Sequence, residues 1–261
     1  MVPYVYLINT ELALYGVIGL LATLLGSMSG LGGGFLSVPV LYFAGVAIQV
    51  SVATSKFMVF VNSIVSTYRY SRRLRIPIGT FVAVVAPMMI TAYYGAYLVA
   101  VLPINTLKVV IGLILLVVGA RMVVQGQPGK TPIRSSSGLV YYTLSTVSGA
   151  IAGLVAGITG LGGGIVNVPV FIYILGLDPH LAVSLSMACM APSALTSVLR
   201  HFIDGLINWS IGIPLSIGAV IGGWIGPRVA LGTRKEKLVR IIGAILLAAI
   251  LRMLLEPLLS L

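Results

Sequence analysis

The sequence predicts an all-α integral membrane protein built from two inverted-topology repeats of five helical elements each, with eight to ten membrane segments. Three observations support this prediction. Hydrophobic residues make up 59% of the 261 residues and charged residues only 8%, whereas soluble domains carry about 25% charged residues. Apolar runs of about 20 residues, long enough to cross a bilayer, recur along the chain. A Gly-rich motif also occurs once in each half.

The Gly-rich motif has the sequence Gly-Leu-Gly-Gly-Gly and lies at residues 30–34 and again at 160–164, each time followed by Val-Pro-Val. Eight of the eleven positions from Gly30 to Val40 recur between Gly160 and Val170, which indicates an internal repeat. Each glycine destabilises a helix interior by about 1 kcal/mol relative to alanine. The prolines, Pro39 and Pro169, each remove a backbone donor. We therefore expect broken or re-entrant helices, with Pro39 and Pro169 at helix breaks or gates.

Five helical elements are predicted in each half from the apolar runs. In the first half they are A (Leu12–Met28), B (Phe35–Val46), C (Val50–Tyr68), D (Ile76–Ala100) and E (Ile104–Val124). In the second half they are A′ (Leu139–Ile158), B′ (Ile165–Leu175), C′ (Leu181–Phe202), D′ (Ile207–Leu231) and E′ (Lys237–Leu255). The predicted domains are a first transmembrane repeat (1–124), a polar cytoplasmic linker (125–137) and a second transmembrane repeat (138–261).

Loop charges indicate that the two repeats are inverted relative to each other. The basic loop of the first repeat joins C to D and contains Arg69 and Arg75, whereas the basic loop of the second joins D′ to E′ and contains Arg228 and Arg240. Because lysine and arginine mark cytoplasmic loops, equivalent loops lie on opposite sides of the membrane. We expect a multi-pass protein of the cell membrane with both termini external. This distribution explains the net charge of +11 without nucleic-acid binding.

An inverted repeat needs an odd number of crossings, so segments A and B together must return the chain to its starting side. Either both segments cross the membrane, or they form a re-entrant hairpin with a glycine tip in the protein interior. Segment B has about a dozen residues, which is short for a span of about 20 and favours the hairpin. Irregular backbone cannot face lipid, so the glycine loops must be covered by protein or line a wet cavity.

The Gly-rich motif with its Val-Pro-Val extension, followed by Ala-Thr-Ser at 53–55 or Ser-Leu-Ser at 184–186, resembles the TauE/SafE family of membrane transporters, the sulfite and organosulfonate exporters. The resemblance covers essentially the whole chain. It implies a secondary transporter that moves small sulfur-containing anions or related organic acids out of the cell, and it indicates a class of substrate rather than one molecule. One departure from the family pattern is Lys56, because family members generally carry an apolar residue after that serine.

The residues themselves also indicate an anion site. A helix that starts after a glycine loop presents unpaired N–H groups and a partial positive charge, and both B and B′ start in this way. Polar residues match between the halves at Ser29 and Thr159, before the loops, and at Ser37 and Asn167, after them. The alternative is that the glycines only allow close helix packing.

Segments C and C′ each carry a polar face, with hydroxyl and amide groups at helical spacing. Such groups can replace the water around an oxyanion without adding charge, although serines in membrane helices also bond to their own backbone. The predicted substrate-binding residues come from the loops, the starts of B and B′, and these faces. They are Ser29, Gly30, Gly32, Gly33, Gly34, Ser37, Thr54, Ser55, Lys56, Asn62, Thr159, Gly160, Gly162, Gly163, Gly164, Asn167, Ser186 and Ser193.

Three ionisable residues near or inside segments C and C′ need separate interpretations. Lys56 lies inside C, where an ionisable group is costly and indicates function. It would compensate a bound anion or exchange a proton, and the alternative is snorkelling to the outer interface. Arg200 ends C′ on the predicted outer side, where it either gates anions or pairs with Asp204, and we favour the ion pair. His201 is expected to be an ordinary interfacial histidine.

No cofactor, catalytic group or metal site is predicted, because the chain contains neither HExxH nor GxxxxGK[ST]. We expect a transporter rather than an enzyme. Its expected partners are the lipid bilayer, a small anion and, if transport is coupled, protons, and the sequence is compatible with a homo-oligomer. The alternatives are an anion channel, a membrane scaffold without transport, or a transporter of another small solute such as a metal ion.

Overall fold

The computed structural model describes residues 2–103, 106 and 138–233, with side chains from residue 12 onward. Six of the helices in these residues are long and apolar enough to cross a membrane. The described part of the chain is therefore all-helical, as predicted, and the protein is a multi-pass membrane protein. The helices are α1 (Val2–Ser29), α2 (Gly34–Phe43), α3 (Ile48–Ser71), α4 (Ile78–Val101), α5 (Leu139–Thr159), α6 (Gly164–Pro169, continued by a π-helical turn, Val170–Ile174), α7 (Pro179–Ile203) and α8 (Trp209–Gly232).

These helices follow the order of predicted segments A to D and A′ to D′. Helix α1 begins at Val2 rather than Leu12, and α2 ends at Phe43 because Gly45 turns the chain with a φ of 88°. The remaining bounds agree with the prediction to within three residues. Segments E and E′ and the linker lie outside the described residues.

The two motif prolines differ in their effect on the helices. Pro39 lies inside α2, which continues to Phe43, so the predicted break at Pro39 is wrong. Proline removes a single N–H···O bond here, and the rest of the helix tolerates the loss. Pro169 ends the α-helical part of α6, and the π-helical turn Val170–Ile174 follows it.

Helices α1 and α8 pack side by side through glycines. A Cβ atom on Gly19 would overlap the carbonyl oxygen of Leu215, and a Cβ atom on Gly226 would overlap the hydroxyl of Ser27. Small residues allow such close approach between membrane helices. Ser27 and Gly226 each lie further along their helices than Gly19 and Leu215, so α1 and α8 run parallel.

Helices α5 and α4 repeat this arrangement. A Cβ atom on Gly149 would overlap the carbonyl oxygen of Val84. In the register of the sequence repeat, Gly149 is the counterpart of Gly19, and Val84 is the counterpart of Leu215. The pairing therefore joins the first helix of each half to the last described helix of the other half.

Hydrogen bonds join α3 to α8 and α7 to α4 in the same symmetric way. Ser66 on α3 donates a hydrogen bond to the Gly223 carbonyl of α8 at 3.2 Å. Ser197 on α7 donates to the Ala92 carbonyl of α4, also at 3.2 Å. Thr54, at the other end of α3, accepts a hydrogen bond from the N–H of Asn208, just before α8. Helix α3 is therefore parallel to α8, and hence also to α1.

Because α1 and α3 run in the same direction, α2 must carry the chain back between them. Ten residues in α2 extend about 15 Å at 1.5 Å per residue, which is about half of a bilayer core. Helix α1 is long enough to cross a membrane, whereas α2 extends over only about half of that distance. Helices α1 and α2 form the first hairpin, and α5 and α6 form the second.

Candidate functional site

The tips of the two hairpins, residues 30–33 and 160–163, are buried and contact each other. Their contacts are reciprocal. A Cβ atom on Gly34 would overlap the carbonyl oxygen of Gly160, and one on Gly164 would overlap the carbonyl oxygen of Gly30. The structure therefore brings the two copies of the Gly-rich motif together, backbone against backbone.

Each motif position requires glycine, either for its backbone conformation or for close packing. Residues other than glycine rarely adopt positive φ angles. Three glycines of each tip have them: 75°, 87° and 98° at Gly30, Gly32 and Gly33, and 71°, 87° and 70° at Gly160, Gly162 and Gly163. The fourth glycine of each motif has no room for a Cβ atom. Backbone conformation and close packing therefore account for all eight glycines, so a ligand at the tips would be bound by the surrounding side chains.

Val59 and Met190 close the tip contact from α3 and α7, and we call them the central pair. A Cβ atom on Gly32 would lie 2.6 Å from Met190 Sδ and 2.9 Å from Val59 Cγ1, and one on Gly162 would lie 2.5 and 3.1 Å from the same atoms. The two residues occupy equivalent positions of the two repeats. Each lies near the middle of its helix, so the tips meet at mid-depth.

Polar side chains from α3 and α7 hold the first tip in place. Asn62 Nδ2 donates to the Gly32 carbonyl at 3.0 Å, and Ser186 Oγ donates to the Gly30 carbonyl at 2.8 Å. Ser66 in turn donates to Asn62 Oδ1 at 3.1 Å. Asn62 and Ser186, both predicted to bind substrate, thus bind backbone carbonyls of the loop.

The other predicted hydroxyls mainly bond to nearby backbone, which was the alternative considered for the serines. Thr54 instead accepts the Asn208 N–H, and Ser55 Oγ is buried without a hydrogen-bond partner among the described residues. The acceptors of the remaining hydroxyls are the carbonyls of Leu25 (for Ser29, 2.8 Å), Gly33 (for Ser37, 3.4 Å), Val155 (for Thr159, 2.7 Å) and Met190 (for Ser193, 3.1 Å).

The role of Asn62 can be tested by Asn62→Leu, which keeps the volume but leaves the Gly32 carbonyl buried without its donor. An unsatisfied buried carbonyl costs roughly 1–3 kcal/mol, so we expect a clear fall in the melting temperature of the purified protein. Ser63→Ala is the control, because the Ser63 hydroxyl donates to the carbonyl of Phe60, within its own helix. Equal melting temperatures for Asn62→Leu and Ser63→Ala would show that Asn62 does not hold the tip.

Lys56 is fully buried, with 0% of its surface exposed. Its Nζ donates to the carbonyl of Ala156, near the end of α5, at 2.9 Å. The carbonyl end of a helix carries partial negative charge and attracts a cation. The snorkelling alternative is therefore wrong, because the side chain reaches across to the second hairpin rather than toward the membrane surface.

Asn167 lies one turn after the second tip, on α6, and is buried. Its Nδ2 donates to Met88 Sδ at 3.5 Å, while its Oδ1 has no hydrogen-bond partner among the described residues. A Cβ atom on Gly163 would lie 2.5 Å from the terminal methyl of the same methionine and 3.3 Å from Ala156 Cβ. Met88 thus contacts both Asn167 and the second tip.

The predicted ion pair between Arg200 and Asp204 is confirmed. Arg200 Nε and Nη2 donate to the two carboxylate oxygens at 2.9 and 2.6 Å. The guanidinium also lies over the rings of Tyr97 and Tyr93, with its carbon 4.7 and 5.7 Å from the ring centroids. Arg200 is thereby held at the end of α7.

His201 is not interfacial, and that prediction was wrong. Its side chain is fully buried, and neither ring nitrogen has a hydrogen-bond partner among the described residues. The sequence does contain a signal for this position, because His201 is the counterpart of Tyr70 in the repeat. The Tyr70 hydroxyl is also buried and donates to the Ser27 carbonyl at 2.8 Å.

Comparison with known proteins gives matches over nearly the whole chain. "Probable membrane transporter protein YunE" of Bacillus subtilis (strain 168) is 27% identical over 255 residues, which cover 88% of this chain and 93% of the relative. "Probable membrane transporter protein YfcA" of Escherichia coli (strain K12) is 24% identical over 239 residues, covering 90% and 87%. "Probable membrane transporter protein MJ0441" of Methanocaldococcus jannaschii is 30% identical over 161 residues, covering 59% of each chain. No solved structure matches significantly.

The family model described as "Sulfite exporter TauE/SafE" matches residues 15–253. This match includes both hairpin tips, the central pair and all the long helices from α3 to α8. The resemblance drawn from the two Gly-rich motifs is confirmed. The chain belongs to the TauE/SafE family of membrane transporters.

Proposed function

We propose that the protein is a secondary transporter that exports small sulfur-containing anions, such as sulfite, organosulfonates or related organic acids. The observation that carries this proposal is the meeting of two glycine hairpins at mid-depth beside the buried Lys56. Matching broken helices in the two halves of a membrane protein are typical of transporter binding sites. The family description supports the substrate class.

The charges near the tips favour an anion over a metal ion. Lys56 is buried there and binds a carbonyl rather than a carboxylate. The acidic side chains of the described residues, Asp178 and Asp204, cap the two ends of α7 and are far along the helix from Met190. Among the described residues, no group of three or more His, Cys, Asp or Glu side chains is placed to hold a metal ion. A buried cation without a carboxylate partner is suited to a negatively charged solute.

We also infer an inverted topology for the two repeats. Helices α1, α3 and α8 run in one direction, and contacts with α4 orient α5 and α7 in the other. Equivalent helices of the two halves thus point oppositely. With the basic residues Arg69 to Arg75 on the cytoplasmic side, α3 begins on the external side. The proposed repeats are 1–124 and 138–261, joined by a cytoplasmic linker, with external termini in the cell membrane.

Alternating access would separate the hairpin tips on one side at a time. The described conformation is closed at the center, because the tips and the central pair are in contact. An inside-negative membrane potential favours anion export by about 2.3 kcal/mol per charge per 100 mV. Uniport is therefore sufficient, and proton coupling is an additional property to be measured.

The proposal predicts saturable flux in proteoliposomes that contain the purified protein. Sulfite, thiosulfate and short organosulfonates would be supplied one at a time, with membrane potential and pH gradient set separately. We expect one or more of these anions to show saturable flux that responds to the potential. A response to the pH gradient at fixed potential would identify proton coupling.

Two results would contradict the proposal. Flux that rises linearly with anion concentration and never saturates would indicate a channel. Absence of flux for all of these anions, from protein with a normal melting transition, would exclude this substrate class.

A further inference from the structure

The end of α3 and the adjacent part of α8 carry arginines that lie over aromatic rings. The Tyr68 and Trp224 rings are stacked, with their centroids 6.2 Å apart and their planes at 23°. The guanidinium carbon of Arg69 lies 4.7 Å from the centroid of the Trp224 ring, and that of Arg72 lies 4.8 Å from the centroid of the Tyr68 ring. A guanidinium that lies over a ring keeps its N–H donors, which lie in its own plane, for a second partner.

The second repeat has the same arrangement with a carboxylate added. Arg200 is the counterpart of Arg69, and its guanidinium lies over the ring of Tyr93, which occupies the position equivalent to the tryptophan. Asp204, four residues after Arg200, accepts two hydrogen bonds from that guanidinium, at 2.9 and 2.6 Å. The counterpart of Asp204 is Arg73. The first repeat therefore has a cation where the second has the anion that completes the pair.

No carboxylate in the described part of the chain balances the arginines at the end of α3. The described acidic side chains are Asp178, which caps α7 by accepting the N–H of His180, and Asp204, which pairs with Arg200. Arg228 adds another positive charge on the exposed surface of α8, one turn beyond the tryptophan ring. Clustered like charges repel one another, so binding of an anion would relieve this repulsion. The arginine cluster consists of Arg69, Arg72, Arg73 and Arg228.

An exposed apolar strip continues from the arginine cluster along α3 and α8, toward the middle of the membrane. Ile64 lies one turn before Tyr68, and Ile221 and Ile217 lie one and two turns before Trp224. These three isoleucines are between 46% and 62% exposed. Tyrosine and tryptophan are enriched where membrane helices meet the headgroup region. The cluster therefore lies at the lipid-facing end of two helices, whereas the hairpin tips are in the protein interior.

We propose that the ends of α3 and α8 at the arginine cluster bind an anionic phospholipid. Its phosphate oxygens accept hydrogen bonds from Arg69 and Arg73, and they take the place that the Asp204 carboxylate has beside Arg200. Its acyl chains lie along the exposed isoleucines. Several arginines without a carboxylate favour a headgroup of net negative charge over a zwitterionic one. Lipid binding goes beyond the proposed function and is independent of the transported solute. The topology inferred above assigns the lipid to the cytoplasmic leaflet.

The two tryptophans of the sequence allow a local test of lipid binding. Trp209→Phe leaves Trp224 as a reporter beside the cluster, and Trp224→Phe leaves Trp209 as a reporter at the start of α8. The full chain would be reconstituted in phosphatidylcholine vesicles with brominated phosphatidylglycerol or brominated phosphatidylcholine, and bromine quenching of tryptophan fluorescence measures which lipid is adjacent. We expect phosphatidylglycerol to bind beside Trp224 about tenfold more tightly than phosphatidylcholine, with less than about twofold preference at Trp209.

Three variants in the Trp209→Phe background test the arginines. Arg73→Asp copies the carboxylate of the second repeat, so Arg69 pairs within the protein and the lipid preference should fall below about twofold. Arg69→Gln should have the same effect. Arg75→Asp is the matched control, because it changes the net charge by the same amount outside the paired positions and should keep most of the preference. Unchanged quenching by brominated phosphatidylcholine in each variant would show that the protein is folded and that Trp224 still faces lipid.

Three results would overturn the phospholipid site. Equal binding of the two brominated lipids beside Trp224 would show that the cluster does not select an anionic headgroup. An equal loss of preference in Arg73→Asp and Arg75→Asp would show diffuse attraction by net charge. Displacement of phosphatidylglycerol by inorganic phosphate in the buffer would show that the cluster binds soluble anions. The proposed transport function is tested separately, by anion flux, and survives each of these results.

Discussion

Replacing Gly164 with alanine will prevent the two hairpin tips from meeting and will abolish transport. The added Cβ atom would overlap the Gly30 carbonyl and lie 3.0 Å from Leu31 Cα. Both neighbours are backbone atoms, so no side chain can rotate away to make room. We expect a destabilisation of about 4 kcal/mol or more, measured as a lower melting temperature and as loss of anion flux in proteoliposomes.

Two matched variants make this result interpretable. Gly34→Ala alters the equivalent glycine of the first hairpin, whose Cβ atom would overlap the Gly160 carbonyl, and should have the same effect. Gly232→Ala is the control at the end of α8, because nothing lies within 4 Å of the added atom. A folded Gly164→Ala protein with normal flux would show that the tips do not need to touch.

Met190→Ala should convert saturable transport into an anion leak. Met190 Sδ lies against both tips and, with Val59, closes the center of the protein. Truncation leaves a cavity between the tips and α7, at a cost of about 2–5 kcal/mol in stability. We expect a basal flux that rises linearly with anion concentration in proteoliposomes and is absent from the wild-type protein.

Met190→Leu is the matched variant, since it nearly keeps the volume of methionine and should retain saturable flux without the leak. Saturable flux of normal affinity in Met190→Ala, with no linear component, would show that the central pair is not the barrier to the solute.

The order and bounds of the described helices could be predicted because membrane helices depend on local properties. Length, hydropathy and the glycine runs determine where each helix begins and ends. The pairing of α1 with α8 could not be predicted in this way. It depends on contacts such as that between Gly19 and Leu215, which lie far apart in the sequence and leave no local pattern. The effect of Pro39 also depends on context, because the rest of α2 tolerates one missing bond.

For the site, the sequence repeat correctly predicted that the two glycine motifs lie together. The roles of single side chains could not be predicted in this way, because they depend on packing. Ser29 and Thr159 bond to their own helices because those carbonyls are within reach of the hydroxyl. Whether Lys56 snorkels or turns inward depends on the position of α5, which segment C alone does not determine. His201 was missed because a histidine at a predicted helix end resembles an interfacial residue, and its burial results from tertiary packing.

Accessibility of engineered cysteines on the two sides of the central pair tests alternating access most directly. Cys189 is the one cysteine in the sequence, so Cys189→Ser provides a cysteine-free background. Ser51→Cys and Ser66→Cys then place single probes on α3, one before Val59 and one after it, about two turns away in each direction. Labelling with a membrane-impermeant thiol reagent would be measured in sealed vesicles of each orientation, with and without a sulfite gradient.

Alternating access predicts that the two positions are labelled reciprocally: conditions that increase labelling at residue 51 decrease it at residue 66. Simultaneous labelling of both positions in every condition would contradict alternating access and indicate a continuous pore through the tips.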